Sequence, residues 1–187
     1  MMRDNRRLDF LLLAAAISFL LLPWYRLRGG FFGLGWVRDY LSDDRIWPGV
    51  AQLGQWWLWP VPVLILLAVG LRLTLPTAWR GGWLAVLGAA GIVWMMAQGL
   101  SVGMRGWNWG ALEALGEVGG QQAFGAGALC TLLCFAAMIA FGLAERGALK
   151  GDAFVLSAIT LLILLVALFV FYPLMSMFTG AFQDKRR

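Results

Sequence analysis

The chain has 187 residues, 61% hydrophobic and only 13% charged, with a formal net charge of +5. A soluble domain carries roughly a quarter charged residues, so polar surface is too scarce to cover a globule and an all-α integral membrane protein is expected. The positive charge, which would suggest nucleic acid in a soluble chain, is expected to mark the cytoplasmic side of a bilayer, and the absence of histidine removes His-ligated haem, His-rich metal sites and Ser-His or Cys-His catalysis.

Charge and turn chemistry divide the chain into five apolar segments, so about five transmembrane helices are predicted, with a short interfacial helix. The first covers 10–25, behind Arg3, Arg6 and Arg7. A basic head before an apolar run also describes a signal peptide. "FLLLPWY" closes the run with bulky residues where cleavage needs small ones, so an uncleaved first span is the reading. Between it and the second span, "RLRGGFFGLGWVRDYLSDDRIWPGVAQLG" is too aromatic for a free linker, and Phe31, Phe32, Trp36 and Trp47 are expected to rest it on the headgroup layer. Asp43 and Asp44 resemble an acidic metal site, but with Arg38 and Arg45 beside them they read as a solvated turn.

The second segment, 56–71, carries its prolines in the opening turns, where missing backbone donors cost least. The third covers 81–104 and the fourth 118–144, each long enough to cross about 30 Å of hydrocarbon at 1.5 Å per residue. Gly81, Ala85 and Ala89 on the third, and Ala136, Ala140 and Ala144 on the fourth, form small-residue rows of the kind that let helices approach closely in lipid. Gly125 and Gly127 extend the theme, with no strand or lysine to make a phosphate loop. Cys130 and Cys134 share one face of the fourth helix, one turn apart; the spacing suits a soft-metal or redox pair, and equally two small residues packed on a neighbour, which is the reading taken.

Between the third and fourth segments, helical spacing puts Trp107, Ala111, Ala114, Leu115 and Val118 on one side and Glu113 and Glu117 on the other. This predicts an amphipathic interfacial helix, with the two glutamates on a solvated face rather than forming a catalytic pair. The fifth segment follows Asp152 and has no charge until Asp184; Pro173 is expected to end or kink the spanning part. No Asp, Glu, Lys or Arg falls inside the five apolar cores, and Gln98 is the notable polar side chain there. Intramembrane ionisable groups usually mark ion and proton paths, so no catalytic, cofactor-binding or metal-ligating residue is assigned.

With the N-terminus inside, the pieces 1–9, 72–80 and 145–152 carry seven Lys or Arg, and the outer loops 26–55 and 105–117 carry five, before the final "KRR" adds three outside. The count is close to even, but the first helix usually dominates, and its arginines favour a cytoplasmic N-terminus. Trp24, Tyr25, Trp56, Trp57, Trp59, Trp107 and Trp109 then gather at the outer interface.

The segment "GDAFVLSAITLLILLVALFVFYPLMSMFTGAFQD" resembles the first core helix of a binding-protein-dependent ABC transporter permease. "LLLPWYRL", "GFFGLGW", "QWWLWP" and "GMRGWNWG" are similar to the extra N-terminal region of long ferric-iron-type permeases of proteobacteria. The resemblance implies an N-terminal four-helix membrane region over 1–150 and the start of the permease core over 151–187. It also implies a bacterial inner-membrane location, an ATP-binding subunit and a periplasmic solute-binding protein as partners, and a delivered solute such as ferric iron. Such permeases dock on the ATPase through a cytoplasmic "EAA…G" loop that this sequence lacks, since "EALGE" falls in an outer loop. The chain is therefore expected to be the N-terminal piece of a longer permease or a truncated reading frame. A stand-alone polytopic protein acting as an assembly or scaffold partner is the alternative, and a membrane enzyme using Glu113, Glu117, Asp43 or Asp44 is the least favoured reading.

Overall fold

A computed structural model describes residues 2–25, 48–103, 106–108, 112, 124–171, 173–175 and 177–178. Helix α1, Met2–Leu21, runs through a Leu- and Ala-rich stretch free of Gly and Pro. It stops before Pro23, because the residue preceding a proline is driven out of the helical region; the last closing bond is from Leu22 N–H to the Ser18 carbonyl, 3.3 Å. An extended segment follows, with Pro23 bridged to Pro48 and Tyr25 to Phe124. Short 3-10 turns at Gly49–Gln52 and Trp56–Leu58 lead into α2, Pro60–Thr74, which opens on its proline as expected. Leu75 and Pro76 break the chain before α3, Thr77–Ser101.

Strands β1, Val102–Gly103, and β2, Gly106–Trp107, pair antiparallel, and α4 is Ala126–Glu145. Gly147, at φ +82°, ends α4: its N–H returns to the Ala144 carbonyl at 2.9 Å, and only glycine takes this left-handed position without cost. Leu149 and Lys150 are also left-handed, which folds the chain back sharply. Asp152 then caps α5, Ala153–Val166, accepting from Phe154 N–H at 2.9 Å and Val155 N–H at 3.2 Å. Residues Ala167–Phe171 continue α5 as a π turn. A proline removes one helical donor and clashes with the carbonyl four residues back; the bulge lies just ahead of Pro173, where the span was expected to end or kink, and the apolar stretch runs on to Met175.

The helices run up and down, and α4 is the hub. It packs against α1, α3 and α5, while α2 packs on α3 and α1. Over half of the α4 span is buried (56%), against 11% for α5. The α3–α4 contact is backbone on backbone: a Cβ on Gly81 would stand 2.7 Å from the Gly142 carbonyl oxygen, and one on Gly88 only 2.5 Å from that of Phe135. The Phe135 ring lies over Gly91, where a Cβ would meet it at 2.6 Å. Gly127 plays the same part between α4 and α1, with the Leu22 carbonyl 2.7 Å from where its Cβ would be.

Four helical stretches are long and apolar enough to cross a membrane: Trp56–Thr74, Thr77–Ser101, Ala126–Glu145 and Ala153–Met175. The expected first span differs from these. Its helix begins in charged residues including Arg6, Arg7 and Asp9, and the uncharged part, 10–21, is about 18 Å long at 1.5 Å per residue against about 30 Å of hydrocarbon. Of the two small-residue rows, Ala136 and Ala140 on α4 are buried as expected, whereas the row on α3 needs correction. Ala85 lies against Gly142, but Ala89 is exposed, because strict four-residue steps drift about 40° each around a helix of 3.6 residues per turn. The buried seam instead follows Gly81, Leu84, Gly88, Gly91, Met95 and Gln98. Trp107 belongs to β2 and not to an interfacial helix; residues 109–111 and 113–118 of that expected helix, Ala111 among them, lie outside the described residues.

The seam yields a sharp contrast. Gly88→Ala drives a methyl into the Phe135 carbonyl and is expected to destabilise the fold by about 1–3 kcal/mol. Gly70→Ala, where a Cβ meets nothing within 4 Å, is expected to be neutral or stabilising by up to about 1 kcal/mol. Unfolding by denaturing detergent, followed by far-UV circular dichroism, compares the two.

Candidate functional site

Among the described residues with placed side chains, every charged one sits at a single end of the bundle: Arg6, Arg7 and Asp9 on α1, Arg72 on α2, Arg80 on α3, and Glu145, Arg146, Lys150 and Asp152 around the α4–α5 turn. Two ion pairs join the helix ends there. Arg72 Nε lies 2.9 Å from Asp9 Oδ1, tying α2 to α1 with the Asp9 side chain about half exposed; such surface pairs contribute little, about 0–1 kcal/mol.

The second pair is of another kind. The Arg80 side chain is 3% exposed and that of Glu145 16%. Its Nε donates to Glu145 Oε2 at 3.2 Å, and its Nη2 donates to Oε1, so the guanidinium fork meets both carboxylate oxygens. The adjoining Gly81 and Gly142 bring the two helix axes close enough for this. A carboxylate in the last turn of α4 is unfavourable to the helix dipole, as is a cation in the first turn of α3; each residue offsets the other's misplaced charge.

The opposite end is aromatic and amide-rich. Tyr25 donates its hydroxyl proton to Gln55 Oε1 at 2.9 Å, Trp94 Nε1 donates to the Trp57 carbonyl at 2.9 Å, and Trp59 Nε1 to that of Leu53 at 3.1 Å. Phe19 and Trp24 meet edge to face, with ring centres 5.3 Å apart. The start of α4 is tied to the chain leaving α1: the N–H of its N-cap Gly125 reaches the Trp24 carbonyl at 2.8 Å, and Gly127 N–H in its first turn that of Pro23 at 2.9 Å. Backbone groups at a helix start thus find partners without water. Gln98, the polar group singled out within the spans, is buried at this end of α3.

Cys130 and Cys134 are free thiols on α4, half-buried and buried, and Cys134 belongs to the central apolar cluster with Leu132, Phe135 and Met138. Among the described residues no three His, Cys, Asp or Glu side chains come together as a metal site would need. Asp43, Asp44, Glu113 and Glu117 lie outside the described residues. Sequence reasoning placed Arg80 and Glu145 in cytoplasmic loops and did not pair them. The signal was present in the parity of the spans: an up–down order puts the start of the third helix beside the end of the fourth. Comparison with protein-family models, with curated proteins and with solved structures finds no match.

The ion pair makes a testable unit. Glu145→Leu takes the carboxylate away from the buried Arg80 guanidinium and is expected to cost up to about 3–5 kcal/mol, Arg80→Met leaves only the partly exposed Glu145 and is expected to cost less, and the double variant is expected to recover much of the larger loss. A double-mutant cycle on detergent-induced unfolding measures the coupling.

Proposed function

We propose that the chain is the N-terminal membrane region of a permease subunit of a binding-protein-dependent ABC importer, with α5 as the first helix of the translocation core. The observation that carries the reading is the contrast between α4 and α5. Helices α1 to α4 close around one apolar cluster, to which α5 adds only Leu164 and the partly buried Leu168; α5 is held on that one side, with Leu156 and Leu164 buried, and only 11% of its span is covered. A helix of this kind has room for neighbours around most of its circumference, as the opening helix of a further bundle must. The sequence of this same helix carries the resemblance to the permease core.

The same reading makes α1 a fifth crossing, completed by the apolar and aromatic residues 22–25, and puts the charged end in the cytoplasm. Six of the nine charged side chains at that end are basic, and the described residues at the other end bring tryptophans to the interface where they are favoured. The bilayer is then a bacterial inner membrane, and the solute, ferric iron or another periplasmically delivered species, is chosen by the binding protein. A scaffold role draws on the same open face of α5 and differs in the partner it takes.

Two experiments test this. Alkaline phosphatase fused at residue 150 is expected to be inactive and the same reporter fused at residue 54 active; the reverse pattern overturns the orientation. Affinity purification of the protein expressed from its own locus is expected to recover an ATP-binding subunit and, with substrate present, a solute-binding protein. Recovery of one unrelated membrane protein in stoichiometric amount, with neither of these, replaces the permease reading by the scaffold one.

A further inference from the structure

Beside the Arg80–Glu145 pair, α3 and the end of α4 leave a groove of about 510 Å³ lined by Ala78, Trp79, Gly82, Trp83, Val86 and Arg146. Trp79 and Trp83 stand one turn apart and are 70% and 53% exposed. Arg146 is drawn into the groove by the missing side chain at Gly82: its Nη1 would be 3.5 Å from a Cβ there. Arg72 and Arg80 are each matched by a carboxylate, whereas among the described residues no carboxylate lies within ion-pair distance of Arg146.

We propose that this groove binds an anionic phospholipid, with the phosphodiester on Arg146 and an acyl chain along Trp83 and Val86. A guanidinium offers a fork of donors that matches two phosphate oxygens. Indole rings favour headgroup depth, between water and hydrocarbon, and Trp79 and Trp83 supply this level on the groove wall. Val86, one turn deeper and 56% exposed, extends the wall toward the bilayer centre. A phosphate at Arg146 therefore has an apolar track below it for the chain that hangs from it. The uncompensated positive charge selects a lipid with net negative charge over a zwitterionic one, whose ammonium it repels.

The inference rests on the reading that this end of the bundle lies at a membrane surface, whichever side that surface faces. That reading is checked separately: brominated phosphatidylcholine in vesicles is expected to quench the tryptophan fluorescence of the reconstituted chain, and no quenching removes the membrane placement itself. For the site, the full chain in mild detergent is mixed with equal phosphatidylglycerol and phosphatidylcholine, and the retained lipids are counted by native mass spectrometry. Phosphatidylglycerol is expected to be preferred, and Arg146→Gln to lower the preference about five-fold, the worth of one surface cation. Lys150→Gln, which removes an exposed cation outside the groove, is expected to leave it unchanged. Equal losses in the two variants would reduce the effect to diffuse surface charge, and no preference in the unaltered chain would remove the site. Displacement of the lipid by equimolar inorganic phosphate would show an anion site without lipid recognition; each of these three outcomes overturns the proposal.

Discussion

The structure depends on the backbone approach between α3 and α4. Between helices in lipid there is no hydrophobic driving force, since hydrocarbon tails are as apolar as leucine, and association rests on close van der Waals packing and polar contacts. Gly81 on Gly142, Gly88 on the Phe135 carbonyl and Gly91 under the Phe135 ring supply that packing over most of the shared length. Other features inherit their positions from it. Arg80 meets Glu145 because the neighbouring glycines let their helices touch, and Arg146 reaches the groove beside Gly82 for the same reason. At the far end the seam continues through Met95 to Gln98, which brings α3 to the level where α4 begins.

The two ends solve the problem of polar groups near hydrocarbon in different ways. At the charged end, Arg80 and Glu145 neutralise each other before being covered. At the aromatic end the polar groups are uncharged. The N–H groups of Gly125, the N-cap of α4, and of Gly127 in its first turn reach the Trp24 and Pro23 carbonyls, and the Tyr25 phenol and the Trp59 and Trp94 indoles bond to nearby oxygens. The four apolar stretches between these ends carry their charges only at Arg72, Arg80 and Glu145, all on the charged side.

Much of this was legible in the sequence. The helices long enough to span follow from uninterrupted apolar runs, and their breaks sit at Pro23, Pro76 and Gly147, residues whose backbone chemistry enforces a stop. The break at 102–107 was not legible in that way: periodicity placed Trp107 on a helix, whereas Asn108 anchors a hairpin by donating its N–H to the Ser101 carbonyl at 2.8 Å and its side-chain amide to that of Leu100 at 2.9 Å. The packing face of α3 was half legible. A four-residue repeat identified Gly81 and Ala85 but carried the row on to exposed Ala89, since the true contact winds with the helix. The Arg80–Glu145 pair was hidden for a further reason. Its members are separated by two complete spans, and a local reading sees each only as the edge of a loop.

The low burial of α5 follows from the same solvent argument that governs α3 and α4. In water, Phe154, Leu162, Ile163 and Phe169, all more than half exposed, would be a severe liability; in hydrocarbon their exposure costs almost nothing. Among the residues of α5, Leu156 and Leu164 are the buried ones. The turn before it also aims the helix: Gly147, Leu149 and Lys150 take left-handed backbone angles, and Asp152 accepts from the Phe154 and Val155 N–H groups of the first turn. A helix aimed by its turn can accept neighbours on its outer side without giving up contacts it already has. Both the permease and the scaffold readings need that property, and neither needs α1 to α4 to rearrange.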